Sequence, residues 1–152
     1  ALAAQLPAPA AEGLPPALFD RLVIAPTVRL VRRLGELGVT APLIAFPRGA
    51  GANLAAYVAA VPASGLGIDS ATPPGFARNL AGPSVALQGA LDPQLLVCGG
   101  PALVEAVRTQ RLAFAGGPHI FNLGHGITPD AQIAHVETLV RLVKSPITDL
   151  GV

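Results

Sequence analysis

The chain has 152 residues and a mass of 15.3 kDa, the size of one domain that removes roughly 70% of its unfolded surface from water on folding. Hydrophobic residues make up 51% and charged residues 12%, with a mean hydropathy of +0.56, a balance that excludes intrinsic disorder, a coiled coil and a charged tail protein. Ten Lys and Arg against nine Asp and Glu leave a net charge of +1, which supplies no basic stripe for a nucleic-acid backbone.

Ala1 to Pro16 reads ALAAQLPAPAAEGLPP, and its four Pro and one Gly predict a loop or a frayed arm. From Ala17 to Leu37 the pattern turns helical, with Val28, Val31 and Leu34 on one stripe and Arg29, Arg32, Arg33 and Glu36 on the other side. Pro26 is expected to divide this stretch into two helices, and Gly38 to stop the second. One theme then repeats: a short apolar run, a Gly/Pro/Asp turn and a helix-period segment. Pro42 to Phe46 precedes Gly49 to Ala60; Gly65 to Ile68 precedes Pro74 to Leu80; Val85 to Leu87 precedes a segment from Asp92; His119 to Phe121 precedes Pro129 to Lys144.

Runs that are apolar on successive residues suit strands buried on both faces, so four β-α units with parallel strands predict an α/β fold. Four units do not close a barrel. They form a small open sheet or half of an eight-unit TIM-type barrel. The organisation read from sequence is an arm over residues 1–16, a half-barrel over 17–145 and a tail over 146–152.

Cys98 is the single cysteine, so no intrachain disulfide forms and a reducing cytosol is the simplest home. Pro, Gly or charge interrupts every apolar run before the ~18 residues of a membrane span. The opening alanines lack the cationic start and continuous apolar stretch of a signal peptide. The chain contains no Met and begins at Ala1, and is read as a piece of a longer protein.

The densest chemical cluster is HIFNLGHGITPD, His119 to Asp130. Gly124 and Gly126 permit a sharp turn, Thr128 is an expected N-cap and Pro129 an expected first helical residue. His125 is thereby held in a strand-to-helix turn at a strand's carboxyl end, where α/β folds place their sites. It either meets a ligand there or ties the loop down by hydrogen bonds. His119 leads a strand and His135 lies within a helix. Arg48, in FPRGAG, follows another strand end and offers a fork to a carboxylate ligand, or is solvated or salt-bridged. Asp69 either positions a neighbouring loop or accepts a ligand N–H, and Asp92 reads as an N-cap. No His-x-Cys, Cys-x-x-Cys or His-x-x-x-His spacing points to a metal, and no G-x-S-x-G elbow, Walker loop or G-x-G-x-x-G is present.

Taken together, FPRGAG (Phe46 to Gly51), GID (Gly67 to Asp69), VALQGALDP (Val85 to Pro93) and HIFNLGHGITPD (His119 to Asp130) resemble uroporphyrinogen decarboxylase in wording, order and spacing. The resemblance runs from about Leu14 to Lys144. It implies a (β/α)8 barrel, usually a homodimer, that removes the four acetate carboxyls of uroporphyrinogen III to give coproporphyrinogen III in haem biosynthesis, without metal or cofactor. Protonation of a pyrrole carbon makes the ring an electron sink, arginines hold the substrate carboxylates, and an Asp receives the pyrrole N–H groups. The arginine-rich motif and that Asp belong to the family's N-terminal half and have no counterpart here. This chain resembles the C-terminal half, in which His125 matches the cleft-lining His of NLGHG; Arg48 joins it as a candidate for substrate binding.

The chain also departs from that pattern. Where the family shows a strand of the type VQIFDSWAG, this chain reads from Ala4 to Glu12; only Gln5 and Ala11 agree, and Pro9 falls on the substrate-reaching Ser. Ala90 stands where QGNLDP has Asn. The resemblance therefore implies that the isolated chain, lacking the missing half, carries out no decarboxylation. Two alternatives stand beside this reading. One is a cobalamin-dependent methyl-transfer relative of the same superfamily, whose thiol zinc ligands have no counterpart here. The other is a non-catalytic half-barrel that self-associates through its unpaired edges.

Overall fold

The computed structural model describes residues 4–7 and 11–150. Five parallel strands, β1 (Ala4–Pro7), β2 (Leu43–Phe46), β3 (Gly65–Ile68), β4 (Ala86–Leu91) and β5 (His119–Leu123), lie side by side in chain order. Helices fill the connections: α1 (Pro16–Phe19), α2 (Ala25–Glu36), α3 (Leu54–Ala60), α4 (Pro74–Ala81), α5 (Leu95–Cys98), α6 (Gly100–Phe114) and α7 (Ile133–Lys144). Strand after strand in parallel, each joined by helix, gives a curled half-barrel.

The strand count corrects the sequence reading. Ala4–Pro7 is a strand and not a loop or frayed arm, so there are five strands where four were expected. AQLP has no β-branched residue. Its structure comes from β2, with Gln5 opposite Ile44 and Leu6 opposite Ala45, and from the Ala4 N–H donating to the Pro42 carbonyl at 2.9 Å. Pro7 is tolerated because it ends a strand at the sheet's edge. Pro9 lies outside the described residues. In the expected tail, Ile147–Leu150 form a short 3-10 helix.

Two other boundaries move. Asp20–Ile24 form a π-helical turn, in which the Ala25 N–H donates to the Asp20 carbonyl, and this turn joins α1 to α2 where a break at Pro26 was expected. Pro26 directly follows this turn, whose wider spacing accommodates a residue without an N–H while the helix continues. The last helix begins at Ile133 and not at Pro129, so Thr128 is no N-cap. Its start is set by tertiary contacts: the Gln132 N–H donates to the Leu96 carbonyl at 3.0 Å, and His135 Nδ1 lies 3.0 Å from the same oxygen. Asp92 caps a turn, its Oδ1 accepting from the Gln94 N–H at 2.9 Å, and α5 starts three residues later.

The register row Ala45, Leu66 and Leu87 is buried under the helices, with Ile68 beside it, and packs with Phe19, Val23, Tyr57, Ala77 and Phe114 as one core. A second core gathers Leu91, Leu96, Leu103, Val107 and Leu139 beneath α5, α6 and α7. At roughly 1.5–3 kcal/mol for each large apolar side chain fully buried, these two clusters are the main stabilising term.

At the amino ends of β4 and β5, one buried side chain ties the sheet to the helices. Arg78 Nη1 donates to the carbonyls of Gly82 and Val85 at 2.8 and 2.9 Å, and Nη2 to that of Pro118 at 2.8 Å. The guanidinium occupies the space that a Cβ at residue 117 would need, which is why Gly117 has none.

Candidate functional site at the carboxyl ends of the strands

Four connections meet above the carboxyl ends of β1, β2, β3 and β5 around a cleft of about 380 Å³. Its lining includes Glu12 from the first, Arg48 and Gly49 from the second, Asp69, Ser70 and Thr72 from the third, and His125 from the fourth. Arg48 and His125, predicted from separate strand ends, are thus brought into one cleft. Asp69 joins them.

The connections are fastened to one another mostly through backbone. The Ala11 N–H donates to the Arg48 carbonyl at 3.2 Å. Gly49 carries a φ of +73°, and a Cβ there would strike Glu12, so only glycine lets these two segments approach. The Gly49 N–H donates to Asp69 Oδ2 at 2.8 Å, while Asp69 Oδ1 accepts from Thr72 Oγ1 at 2.8 Å and from the Ala71 N–H at 3.2 Å. Of the two roles open to Asp69, the structure gives it the loop-positioning one. Three donors on one carboxylate fix the second connection to the third.

Gly124 completes the ring. Its N–H donates to the Leu91 carbonyl at 2.7 Å, and its bare Cα lies against the backbone of Asp69 and Ser70, where any Cβ would collide. His125 therefore projects from a backbone pinned on two sides. Its Nδ1 lies 3.2 Å from the Gly126 carbonyl oxygen. A carbonyl only accepts, so this contact belongs to the Nδ1–H tautomer, which leaves Nε2 as the acceptor of the neutral ring.

Arg48 is more than half exposed, at 53%, and its Nη2 is 4.0 Å from Glu12 Oε1, whose side chain is 71% exposed. The guanidinium has no closer ion pair among the described residues. Its planar fork can take a carboxylate through two parallel N–H···O bonds. The cleft thus offers one cation, a half-buried imidazole with an accepting nitrogen and a set of immobilised backbone groups, a combination that can take a carboxylate at Arg48 and a hydrogen-bond donor at His125.

His119 and His135 lie elsewhere. His119 packs edge-on against Phe114 at a centroid distance of 4.6 Å, on the helix side of β5. Burial first, then the nearby Arg78 and Arg111 charges, push its pKa down to about 4, so it is neutral near pH 7. Cys98 is exposed at the end of α5 and does not line the cleft. Among the described residues, no three of His, Cys, Asp and Glu gather closely enough to hold a metal ion. No described helix is long and apolar enough to cross a membrane.

Sequence reasoning passed over Glu12, Ser70 and Thr72. Glu12 had one signal, its place in a string where only Gln5 and Ala11 agreed with the expected pattern. Ser70 and Thr72 had none, because it is the Asp69 carboxylate that gathers their loop around the cleft.

The sequence profile described as "Uroporphyrinogen decarboxylase (URO-D)" matches residues 1–146. The uroporphyrinogen decarboxylase of Hyphomonas neptunium is 47% identical over 135 residues, 89% of this chain and 39% of that protein. That of Caulobacter vibrioides is 45% identical over 133 residues, 88% of this chain and 38% of that protein. The chain therefore spans about two fifths of the length of these relatives. Among solved structures, a methyltransferase from Methanosarcina mazei superposes with a TM-score of 0.70 at 17% identity, covering 93% of this chain and 41% of its own, a likeness of fold alone. With a profile match across nearly the whole sequence and relatives above 40% identity, the chain belongs to the uroporphyrinogen decarboxylase family.

Proposed function

We propose that this chain supplies one wall of a porphyrinogen cleft in a cytoplasmic, cofactor-independent carboxy-lyase. The observation that carries the reading is the convergence of Arg48 and His125 on one cleft at the carboxyl ends of the strands, in a chain of this family. A porphyrinogen bearing acetate and propionate groups presents many carboxylates. Arg48 pairs with one of them, and His125 Nε2 accepts a hydrogen bond from the substrate or from water held beside it.

The chemistry is a proton-for-carboxyl exchange. A pyrrole carbon takes a proton and the ring becomes cationic. The acetate's C–C bond then breaks with its electron pair flowing into the ring, and carbon dioxide leaves. The exocyclic methylene left behind takes a proton to become methyl while the ring carbon gives its own proton back. Fixed charges in a cleft shielded from water lower that barrier. This half contributes only part of such a set, since the arginine-rich motif and the pyrrole-binding Asp have no counterpart among its residues. The isolated chain accordingly binds a polycarboxylate porphyrinogen and does not turn it over; its partner is the complementary portion of the barrel or a second copy.

The test supplies what the chain does not match. The purified chain is incubated with uroporphyrinogen, alone and together with the N-terminal portion of the Hyphomonas neptunium enzyme, and coproporphyrinogen is measured by chromatography. The reading expects no product from the chain alone, product from the mixture, and at least a tenfold loss in kcat/KM with His125→Ala. Turnover by the chain alone, or a mixture indifferent to His125→Ala, contradicts it.

The methyl-transfer alternative has no specific observation in its favour. The lone thiol, Cys98, is outside the cleft, and the likeness to the methyltransferase is one of fold.

A further inference from the structure

We infer that Glu12 is a built-in competitor for Arg48, a residue that sets which carboxylate ligands the cleft accepts; this rests on the reading of Arg48 as a carboxylate-binding residue. Four observations carry it.

Glu12 and Asp69 are the two carboxylates in the cleft's lining. Asp69 is committed to three donors of its own loops and is not available to Arg48. Glu12 is the carboxylate that faces the guanidinium, at 4.0 Å. Its placement is also fixed by backbone, because the Ala11 N–H donates to the Arg48 carbonyl and Gly49 leaves just enough room for the Glu12 stem. The pair thus rides on a joint between two connections and meets there without having to search for each other.

The pair is loose. One nitrogen faces one oxygen at the outer limit of an ion pair, between two well-exposed side chains. An arriving carboxylate that takes both arms of the fork forms the stronger contact and displaces Glu12. Glu12 therefore sets how firmly a carboxylate must hold Arg48 in order to enter.

The experiment measures the Kd of the full 152-residue chain for coproporphyrin III, a stable tetracarboxylate, by its fluorescence, in the wild type, Glu12→Gln, Arg48→Ala and the double variant. Glu12→Gln is expected to tighten binding by about threefold to fivefold, the scale of an exposed ion pair, with Glu12→Gly acting in the same direction. That gain is expected to vanish in the Arg48→Ala background and to shrink as salt is raised. Binding that appears only once Glu12 is removed also supports the inference. An unchanged Kd in Glu12→Gln overturns it, and if Arg48→Ala still weakens binding, the reading of Arg48 survives that failure. An equal gain in the Arg48→Ala background overturns it as well, since Glu12 then acts as general negative charge. No binding by any variant overturns both the inference and the reading on which it rests.

Discussion

Arg78 and Arg48 sit at opposite ends of the same sheet and have opposite fates. At the amino ends of the strands, Arg78 is buried and donates to three carbonyls from two separate turns, so its guanidinium serves as a fixed brace. At the carboxyl ends, Arg48 is half exposed, with one distant carboxylate beside it. The same side chain is structural where its two terminal nitrogens meet carbonyls of its own fold, and available for a ligand where the loops hold its backbone and leave its fork open. Histidines repeat the contrast. His119 is packed between Phe114 and Phe121 and kept neutral, whereas His125 stands in the cleft on a pinned backbone.

The largest effect should come from breaking the brace. Arg78→Met strands the Gly82, Val85 and Pro118 carbonyls and is expected to cost about 3–4 kcal/mol, measured by urea denaturation, while Arg48→Ala should stay within about 0.5 kcal/mol. Comparable losses for the two would erase the distinction between the sheet's ends. At the top, Gly124→Ala forces a Cβ into the Ser70 backbone and should cost about 2–3 kcal/mol. Since that loop carries His125, the variant should also blunt tetracarboxylate binding under conditions where it remains folded.

His119 gives a smaller effect with a definite sign. Its folded pKa, about 4, lies below the ordinary 6.5, so the unfolded state takes up the proton first as pH falls. The stability it contributes is complete above about pH 6.5 and is lost between pH 6.5 and 4. For a partly exposed ring that loss is about 1–2 kcal/mol after screening. His119→Phe should flatten the thermal midpoint across that window, and an undiminished acid slope would assign it to other groups. The smallest effect is a gain. Ala90 holds a φ of +82°, which a Cβ disfavours and Asn tolerates. Ala90→Asn should raise stability by about 0.5–1 kcal/mol, seen as a higher Tm; a lower Tm would mean that the buried amide costs more than the strain it relieves.

How far the sequence carried depended on the range of the forces involved. β3 was legible as Gly65 to Ile68 because its apolar run is bounded by turn residues, and the α/β alternation followed from several such runs. β1 was hidden from local propensity, because AQLP takes its form from β2, nearly forty residues away, and only the alignment of Ala4 to Glu12 with a family strand pointed to it. The start of α7 was misread since Thr128 and Pro129 make a good local cap, yet contacts with Leu96 move the first turn to Ile133. Arg48 and His125 were each visible as loop residues at strand ends. That they share a cleft with Glu12, and that Asp69 holds its loops together, depends on side chains meeting across connections, which no local pattern records.

The central claim is that the cleft at the carboxyl ends is where this chain meets a polycarboxylate. The most direct measurement is the chemical-shift footprint of coproporphyrin III on the 15N-labelled chain, with the Arg48 Nε–Hε and His125 ring signals observed. The account predicts that shifts centre on Arg48, Gly49, Ser70 and His125. A footprint confined to the groove between β5 and α7, lined by Phe121, Leu139 and Val140, with the cleft signals unmoved, would contradict it.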